Sequence, residues 1–358
     1  MGASGVEAVI VAGGLGSRLL PLTAYRPKHL LEVGGVPFLE HQLSRLAAAG
    51  VEHVVVATSY RAELFEPVLG DGSRWGIRVD FLHEAEPLGT AGAIRNVAGS
   101  LADDAEHAVV VLNGDVLSGH DLAAQLHEFD TPRHGRPVDV SLHLVEVDDA
   151  RAFGCVPTDA TGRVTGFIEK SDKPVTNRVN AGCYVFRRRV VDLIPQDRVV
   201  SVERETFPRL VEEGALVVGY VENAYWRDVG TPEALVAASR DLVLGVAPSP
   251  AMPSSDSIAW IDRSAEVDRS ARVDGGSAVG GGGTVGKAAV VNGSVLMRGA
   301  SVAEDAVVVD SVVGPGARVG AGVRIDGVTV GDGALLEAGT VVERGRRVDC
   351  GAVVPAAI

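Results

Sequence analysis

Gly13-Gly14-Leu15-Gly16-Ser17-Arg18 follows an apolar run, Ala8-Val9-Ile10-Val11-Ala12, and Lys28 comes ten residues after the arginine, in Arg26-Pro27-Lys28. Glycines let a backbone approach a phosphate closely, and the exposed N–H groups bind its oxygens. Fixed cations just beyond such a loop neutralise a polyphosphate tail. This is chemistry for holding a nucleoside triphosphate. Two better-known templates do not fit: Arg18 stands where a dinucleotide fingerprint wants its third glycine, and no Gly-Lys-Ser/Thr closes a Walker loop. Taken alone, the same residues also suit a plain glycine turn after a strand.

Other segments add chemistry. Leu112-Asn113-Gly114-Asp115 ends a strong apolar run in a carboxylate, and Trp226-Arg227-Asp228-Val229-Gly230-Thr231-Pro232 puts another on a loop entering a helix. Two isolated carboxylates at strand ends suit Mg2+, which takes few protein ligands and keeps phosphate oxygens and water. Each aspartate alone is equally a turn former or a helix cap. Pro87-Leu88-Gly89-Thr90-Ala91-Gly92 is a small-residue loop fit for close packing against a base. Phe167-Ile168-Glu169-Lys170 ends an apolar run in a charged pair, and Asn180-Ala181-Gly182 opens the next. The Glu-Lys doublet reads either as a solvated edge or as a sugar-hydroxyl acceptor beside a phosphate cation.

The elements that must position these residues follow from the apolar pattern. Val51–Ala57, Ile77–Leu82, Ala108–Leu112 and Val138–Val147 are strand-like. Between them lie helical stretches, Phe38–Ala49 closed by Gly50 and Thr90–Val97 opened by Thr90 as its cap. Strand–helix alternation predicts a mostly parallel, Rossmann-like α/β sheet covered on both faces, with ligands at the carboxyl ends of its strands. Val164–Glu169, Ala181–Phe186 and Ala215–Val221 are more hairpin-like and predict a substrate-facing lobe.

After a Pro/Ser-rich stretch the pattern changes. Ile261, Val267, Val273, Val279, Val285, Val291 and Met297 recur every six residues. Val302 and Val308 continue the series, then a five-residue step leads to Val313, Val319 and Ile325, and another to Val330, Leu336, Val342, Val348 and Val354. A period of six suits a solenoid of short parallel strands, with one aliphatic residue per side pointing inward and small residues at the corners. The expected domains are an α/β catalytic domain over 1–245, a linker over 246–257, and a left-handed parallel β-helix over 258–358.

Composition narrows the function. The chain has 358 residues, room for two cores, and a net charge of −14 with pI near 5.1, which argues against nucleic-acid and anionic-membrane partners. Cys155, Cys183 and Cys350 are an odd, scattered set without metal-ligand spacing, as in a reduced cytosolic protein. With no signal peptide and no membrane-length apolar stretch, the expected location is the cytoplasm.

Together the segments from the Arg18 loop through Asp228-Val229-Gly230-Thr231-Pro232, including Phe153-Gly154 and Ser201-Val202-Glu203-Arg204-Glu205-Thr206-Phe207-Pro208, resemble the sugar-1-phosphate nucleotidylyltransferases with a hexapeptide-repeat domain, most of all the mannose-1-phosphate guanylyltransferases. The resemblance implies transfer of a nucleotidyl group from GTP to mannose 1-phosphate, with Mg2+ held by Asp115 and Asp228. It implies that Arg18 and Lys28 bind the triphosphate, together with Ala12, Gly13, Gly14, Gly16, Ser17, Glu84, Gly89, Thr90 and Asn113 on the nucleotide side. Lys170 would bind the sugar phosphate, with Gly154, Glu169, Asn180 and Gly182 around the sugar. Ser17 departs from the usual threonine and His29 from the usual proline after Lys28; His29 is expected to be structural. The nucleoside triphosphate stays open, as does the acceptor among other hexoses, a heptose or a sugar-like cyclitol phosphate. So does a rival class, a non-catalytic nucleotide-sugar-sensing subunit. Acyl transfer, another activity of hexapeptide solenoids, is disfavoured because all nine histidines lie between His29 and His143, outside the repeats. The repeats are expected to serve homo-oligomer assembly or regulation.

Overall fold

The computed structural model describes residues 5–168, 172–252 and 258–356. By packing, the chain forms two compact units. One comprises 1–14 with 42–226, and the other joins 15–41 to 227–358. The helix α1 (Phe38–Ala48) runs through the division.

The first unit is built on seven strands: β1 (Val6–Ala12), β2 (Val51–Thr58), β3 (Arg78–His83), β4 (Ala108–Asn113), β5 (Val140–Glu146), β6 (Arg178–Arg187) and β7 (Val217–Val221). They lie in the order β7-β5-β6-β4-β1-β2-β3. All neighbours are parallel except β6, which is antiparallel to both β4 and β5. The central strands are apolar at nearly every position, as strands covered on both faces must be. Val9, Val55, Val111 and Leu142 join Tyr184, Phe186 and Phe207 in the main core, each fully buried. Helix α2 (Gly89–Asn96) packs on the same core.

One local expectation fails here and another holds in part. Thr90 does not cap α2. The helix begins at Gly89, and the Thr90 hydroxyl instead donates to the Glu203 carboxylate at 2.9 Å and accepts from the Val202 N–H at 2.8 Å. The acceptor role a cap would need is filled by the Val202 N–H, and the proton is held by a charged acceptor, so the hydroxyl is engaged across the fold. The hairpin-like pattern expected from Val164 onward is present over the described residues 164–168 as antiparallel bridges, Val164 to Thr158 and Ile168 to Cys155, without a continuous strand; Glu169 lies outside the described residues. The Thr165 N–H donates to the Pro157 carbonyl at 2.9 Å, but a proline has no N–H to return, so no ladder forms.

In the second unit, strands over 259–354 stack as three parallel sheets of six, six and five strands. This is a three-sided parallel β-helix, consistent with the left-handed form the hexad period predicts. One inward column is Val279, Leu296, Val313, Val330 and Val348, with the exposed Ile261 in register at its open end, and the core continues through Val302, Val308, Val319, Ile325 and Leu336. Leu296, rather than Met297, occupies the inward position: it pairs with Val279 and Val313 and joins the solenoid core. The five-residue steps therefore fall at Val291–Leu296, Val308–Val313 and Ile325–Val330, always at the same corner. Serines line that corner. Ser294 N–H donates to Ser277 Oγ at 3.1 Å, Ser311 N–H to Ser294 Oγ at 3.1 Å, and Val328 N–H to Ser311 Oγ at 3.0 Å. Each hydroxyl supplies an acceptor that the shortened corner lacks. The Pro/Ser-rich stretch is packed where it is described, with Ser249 Oγ 2.7 Å from His41 Nδ1; residues 253–257 lie outside the described residues. All three cysteines are free thiols.

Candidate functional site

In the first unit Gly13, Glu84 and Asp115 lie at the carboxyl ends of β1, β3 and β4. Gly13 follows β1, and its carbonyl accepts from Ser59 Oγ at 2.6 Å. A Cβ on Gly13 would come 3.1 Å from Ser59 Oγ and 3.7 Å from Glu84 Oε2, so the backbone passes close over both. Glu84, just past β3, is 5% exposed. Its Oε2 accepts the Leu88 N–H at 3.3 Å, whereas Oε1 is buried without a hydrogen-bond partner. Burial pushes this carboxyl above its ordinary range.

Asp115 sits in the turn after β4, and that turn is clamped from two sides. The Gly114 N–H donates to the Val11 carbonyl at 2.9 Å, and Gln42 Nε2, from α1, donates to the carbonyls of Asn113 and Val116, both at 2.9 Å. Gln42 escaped the sequence reading because its partners lie more than seventy residues away.

Gly89 has φ +74°, and a Cβ there would meet the Val200 carbonyl oxygen at 2.6 Å, so no other residue fits this close approach. Thr90 leads from this loop into a chain of polar contacts. Glu203 Oε2 accepts from Thr90 and from Ser201 Oγ, both at 2.9 Å, and Glu203 Oε1 accepts from the Tyr184 hydroxyl at 3.5 Å. That hydroxyl accepts in turn from Asn180 Nδ2 at 2.7 Å. Asn180 Oδ1 takes the Gly182 N–H at 3.0 Å, and the Asn180 N–H donates to the Gly154 carbonyl at 3.0 Å. Thus Gly89, Thr90, Gly154, Asn180 and Gly182 form one connected rim. Glu203 and Tyr184 are its links, and neither follows from local sequence pattern. Glu169 and Lys170, expected at the sugar side, lie outside the described residues.

The second unit brings together the cations. Gly16 has φ +67°, and a Cβ on it would lie 3.0 Å from Lys28 Cβ and from Thr23 Cγ2. Its carbonyl accepts from Thr23 Oγ1 at 2.9 Å, closing the loop back toward Lys28. Ser17 and Arg18 form a short turn with Leu19. The Arg18 guanidinium, 63% exposed, lies 3.8 Å from Asp228, a loose pair that a more highly charged anion can compete for. Gly230 leaves it room, since a Cβ there would be 2.3 Å from Arg18 Nη2. Thr231 caps the helix that follows, accepting the Ala234 N–H at 3.2 Å. His29 is buried, at 2% exposed.

Among the described residues no group of three or more His, Cys, Asp or Glu side chains is arranged to hold a metal ion. No helix among them is long and apolar enough to cross a membrane.

Comparison with known proteins identifies the family. Residues 7–243 match the model of the nucleotidyl transferase family, and residues 257–355 match the GMPPB C-terminal domain. Over 248 residues the chain is 55% identical to a mannose-1-phosphate guanylyltransferase of Mycobacterium tuberculosis, covering 69% of this chain and 67% of that protein. It is 37% identical over 232 residues to the catalytic subunit beta of the same activity in Danio rerio, covering 64% of this chain and 62% of the relative. A crystal structure of HddC from Yersinia pseudotuberculosis complexed with GMP-PN superposes with a TM-score of 0.55 at 29% identity, over 65% of this chain and 97% of that one. With a family model spanning well over half its length, the chain belongs to the nucleotidyl transferase family.

Proposed function

We propose that this protein is a sugar-1-phosphate guanylyltransferase that joins GTP and mannose 1-phosphate into GDP-mannose and pyrophosphate. The observation that carries this reading is the 55% identity to the mycobacterial enzyme of that name. The loop and rim geometry supports it independently. Gly13 and Gly14 present backbone at the end of β1, Gly16 folds back on Lys28, and Arg18 follows on an exposed turn.

Glu84 favours guanine over the other bases. A buried carboxylate with one unpartnered oxygen is costly, and guanine offers N–H donors on its pairing edge that would satisfy it. Uracil and thymine offer one such donor, and adenine or cytosine present an acceptor at the equivalent ring nitrogen.

The chemistry needs little proton transfer, because the sugar phosphate is already an anionic nucleophile. Its oxygen forms the new bond to the α-phosphorus as the bond to pyrophosphate breaks, in line. The obstacles are repulsion between two anions and charge growing on the leaving group, so positioning and charge stabilisation dominate. Arg18 and Lys28 bind the β- and γ-phosphates and take up the leaving charge. Asn180, Gly154 and Gly182 orient the sugar, with Glu169 accepting from its hydroxyls and Lys170 holding its phosphate. Asp115 and Asp228 are oxygen donors of the kind Mg2+ takes, and a site with few protein carboxylates suits an ion that keeps phosphate oxygens. When bound, the ion would screen the phosphate charges. We place the enzyme in the cytoplasm and infer a homo-oligomer assembled through the solenoid and catalytic domains.

Pyrophosphate release by the purified protein, measured with each nucleoside triphosphate against mannose, glucose, heptose and cyclitol phosphates, tests the proposal. GTP with mannose 1-phosphate should lead by at least tenfold in kcat/KM. No release with any pair, despite tight nucleotide-sugar binding, would leave the regulatory-subunit reading instead.

A further inference from the structure

We infer that the solenoid is a splint for the phosphate-binding segment, with Arg26 and Asp332 as a positioning pair that sets the placement of Lys28. This rests on the nucleotide-binding reading of Lys28 above.

Residues 15–37 have little regular structure of their own: three-residue turns at Ser17–Leu19 and Lys28–Leu30, and two-residue strands at Glu32–Val33 and Val36–Pro37. Such a segment makes few backbone bonds to offset the entropy of ordering it, so its shape depends on what it packs against. Here it packs within one compact unit with the solenoid.

The contacts run along one solenoid sheet, whose strands include Ala259–Ile261, Ser277–Val279, Val295–Leu296, Thr329–Val330 and Arg347–Val348. The Trp260 ring covers Gly35 so closely that a Cβ there would lie 2.2 Å from it. Glu32 reaches Gly280, whose own Cβ would be 3.0 Å from Glu32 Oε2, and the charge and backbone N–H of Arg298 favour its ionised carboxylate. Arg347 Nη1 donates to the Leu20 carbonyl at 3.1 Å, and the Cys350 thiol donates to the Pro21 carbonyl at 3.5 Å. The segment is thus fastened from the sheet's first strand to its last.

The strongest fastening is Arg26. Its guanidinium meets Asp332 as a two-pronged fork, Nη1 to Oδ1 at 3.1 Å and Nη2 to Oδ2 closer still. Nη1 also reaches the Leu22 carbonyl at 3.3 Å, drawing the segment in on itself. The side chains are 23% and 14% exposed, sheltered enough for the fork to hold a fixed geometry. Only Pro27 separates Arg26 from Lys28, and its φ of −60° is set by its ring. Anchoring Arg26 therefore anchors the start of the Lys28 turn. This gives the solenoid a role in catalysis besides assembly.

The test measures GTP affinity of the full-length protein by calorimetry, alongside steady-state kinetics and melting, for Arg26→Ala, Asp332→Ala, the double variant, Arg26→Lys and Lys28→Ala. Arg26→Ala and Asp332→Ala should each weaken GTP binding by about 5- to 50-fold, the range of a typical coupling between sites. The double variant should be no worse than either single one, and Arg26→Lys should recover part of the loss. The KM for mannose 1-phosphate at saturating GTP should stay within about twofold, because Lys28 is assigned to the triphosphate alone. Arg344→Ala, which removes an ion pair with Asp326 elsewhere on the solenoid, should leave GTP affinity unchanged. If an alanine variant fails to fold, Asp332→Asn, which keeps the shape and one acceptor, is read the same way. Wild-type GTP affinity in Asp332→Ala, with Lys28→Ala impaired, overturns the positioning role and spares the nucleotide assignment. Wild-type affinity in Lys28→Ala overturns both.

Discussion

The sheet of the first unit and the solenoid of the second solve the same problem, burying aliphatic side chains between parallel strands, with opposite consequences. In the sheet every strand ends in a different loop. The β1 end carries Gly13, the β4 end carries Asp115, and the β3 end carries Glu84. Each is held by its own partners and has no substitute. In the solenoid each coil repeats the one before, so Val279, Leu296, Val313 and Val330 are successive versions of one position. Function concentrated in single residues should fail all at once when one is changed. Stability spread over repeats should fail in small steps.

The sharpest test of that contrast is Asp115→Asn. Gln42 and Gly114 hold the turn through its backbone atoms, so the substitution should leave the melting temperature within about 2 °C. Turnover should fall by roughly two to three orders of magnitude, as for loss of transition-state charge stabilisation, if Asp115 is the Mg2+ ligand proposed above. Substantial unfolding of the variant would show that the side chain is part of the scaffold.

Acid titration probes the sheet unit in a different way. His120 and His143 stack with ring centroids 3.8 Å apart, both buried. Arg45 Nη2 lies 2.6 Å from His120 Nδ1, and a guanidinium only donates, so that nitrogen must be the acceptor; His120 Nε2 then donates to Gln125 Oε1 at 3.0 Å. Burial is the main force holding both imidazoles neutral. It pulls His143 down from 6.5 to about 4 and His120 to about 2, with the neighbouring imidazole and Arg45 adding to the effect on His120. Because the unfolded chain binds these protons first, stability is full above pH 6.5 and falls as the pH drops toward 4. The slope is at most about 1.4 kcal/mol per pH unit for each residue. Thermal melts between about pH 5 and 7.5 check this, and His143→Gln should flatten the curve. An unchanged slope would place the acid sensitivity elsewhere.

Glu84→Gln tests specificity rather than fold. The amide keeps the size but replaces one acceptor with a donor, which guanine's N–H groups then oppose. A loss of about 10- to 100-fold in kcat/KM for GTP, with a smaller loss for the other triphosphates, matches the cost of a buried unpaired polar group. Equal losses for every base would move Glu84 out of base recognition and into support of the Leu88 turn.

What could be read in advance follows the same division. The solenoid was legible because stacking demands the same residue type every sixth position, and each repeat confirms the last. Its one slip, Met297 for Leu296, came where two adjacent residues are both apolar and only strand pairing separates them. The sheet and its glycine loops were legible too, since apolar strands and left-handed turns leave local marks. Long-range polar partners leave none. Nothing around Thr90 announces Glu203, more than a hundred residues on, and so local pattern suggests a helix cap where a carboxylate holds the hydroxyl instead. The attachment of 15–41 to the solenoid was invisible for the same reason: Arg26 and Asp332 are 306 positions apart.

The gentlest effect belongs to the solenoid corner. Ser294→Ala removes the acceptor for the Ser311 N–H and the donor to the Asn292 carbonyl, both inside the stack. One buried N–H left unsatisfied costs about 1–3 kcal/mol, yet the coils above and below keep their own serines, Ser277 and Ser311, and the valine columns are untouched. The melting temperature should drop by a few degrees and kcat/KM should stay at the wild-type value, because Ser294 is not one of the residues that fasten the Leu20–Gly35 segment. Differential scanning calorimetry with a parallel pyrophosphate-release assay reads both. A loss of activity larger than the loss of stability would mean that strain in one coil travels through the stack to the Lys28 segment, and that the repeats act as one rigid body and not as a sum of neighbours.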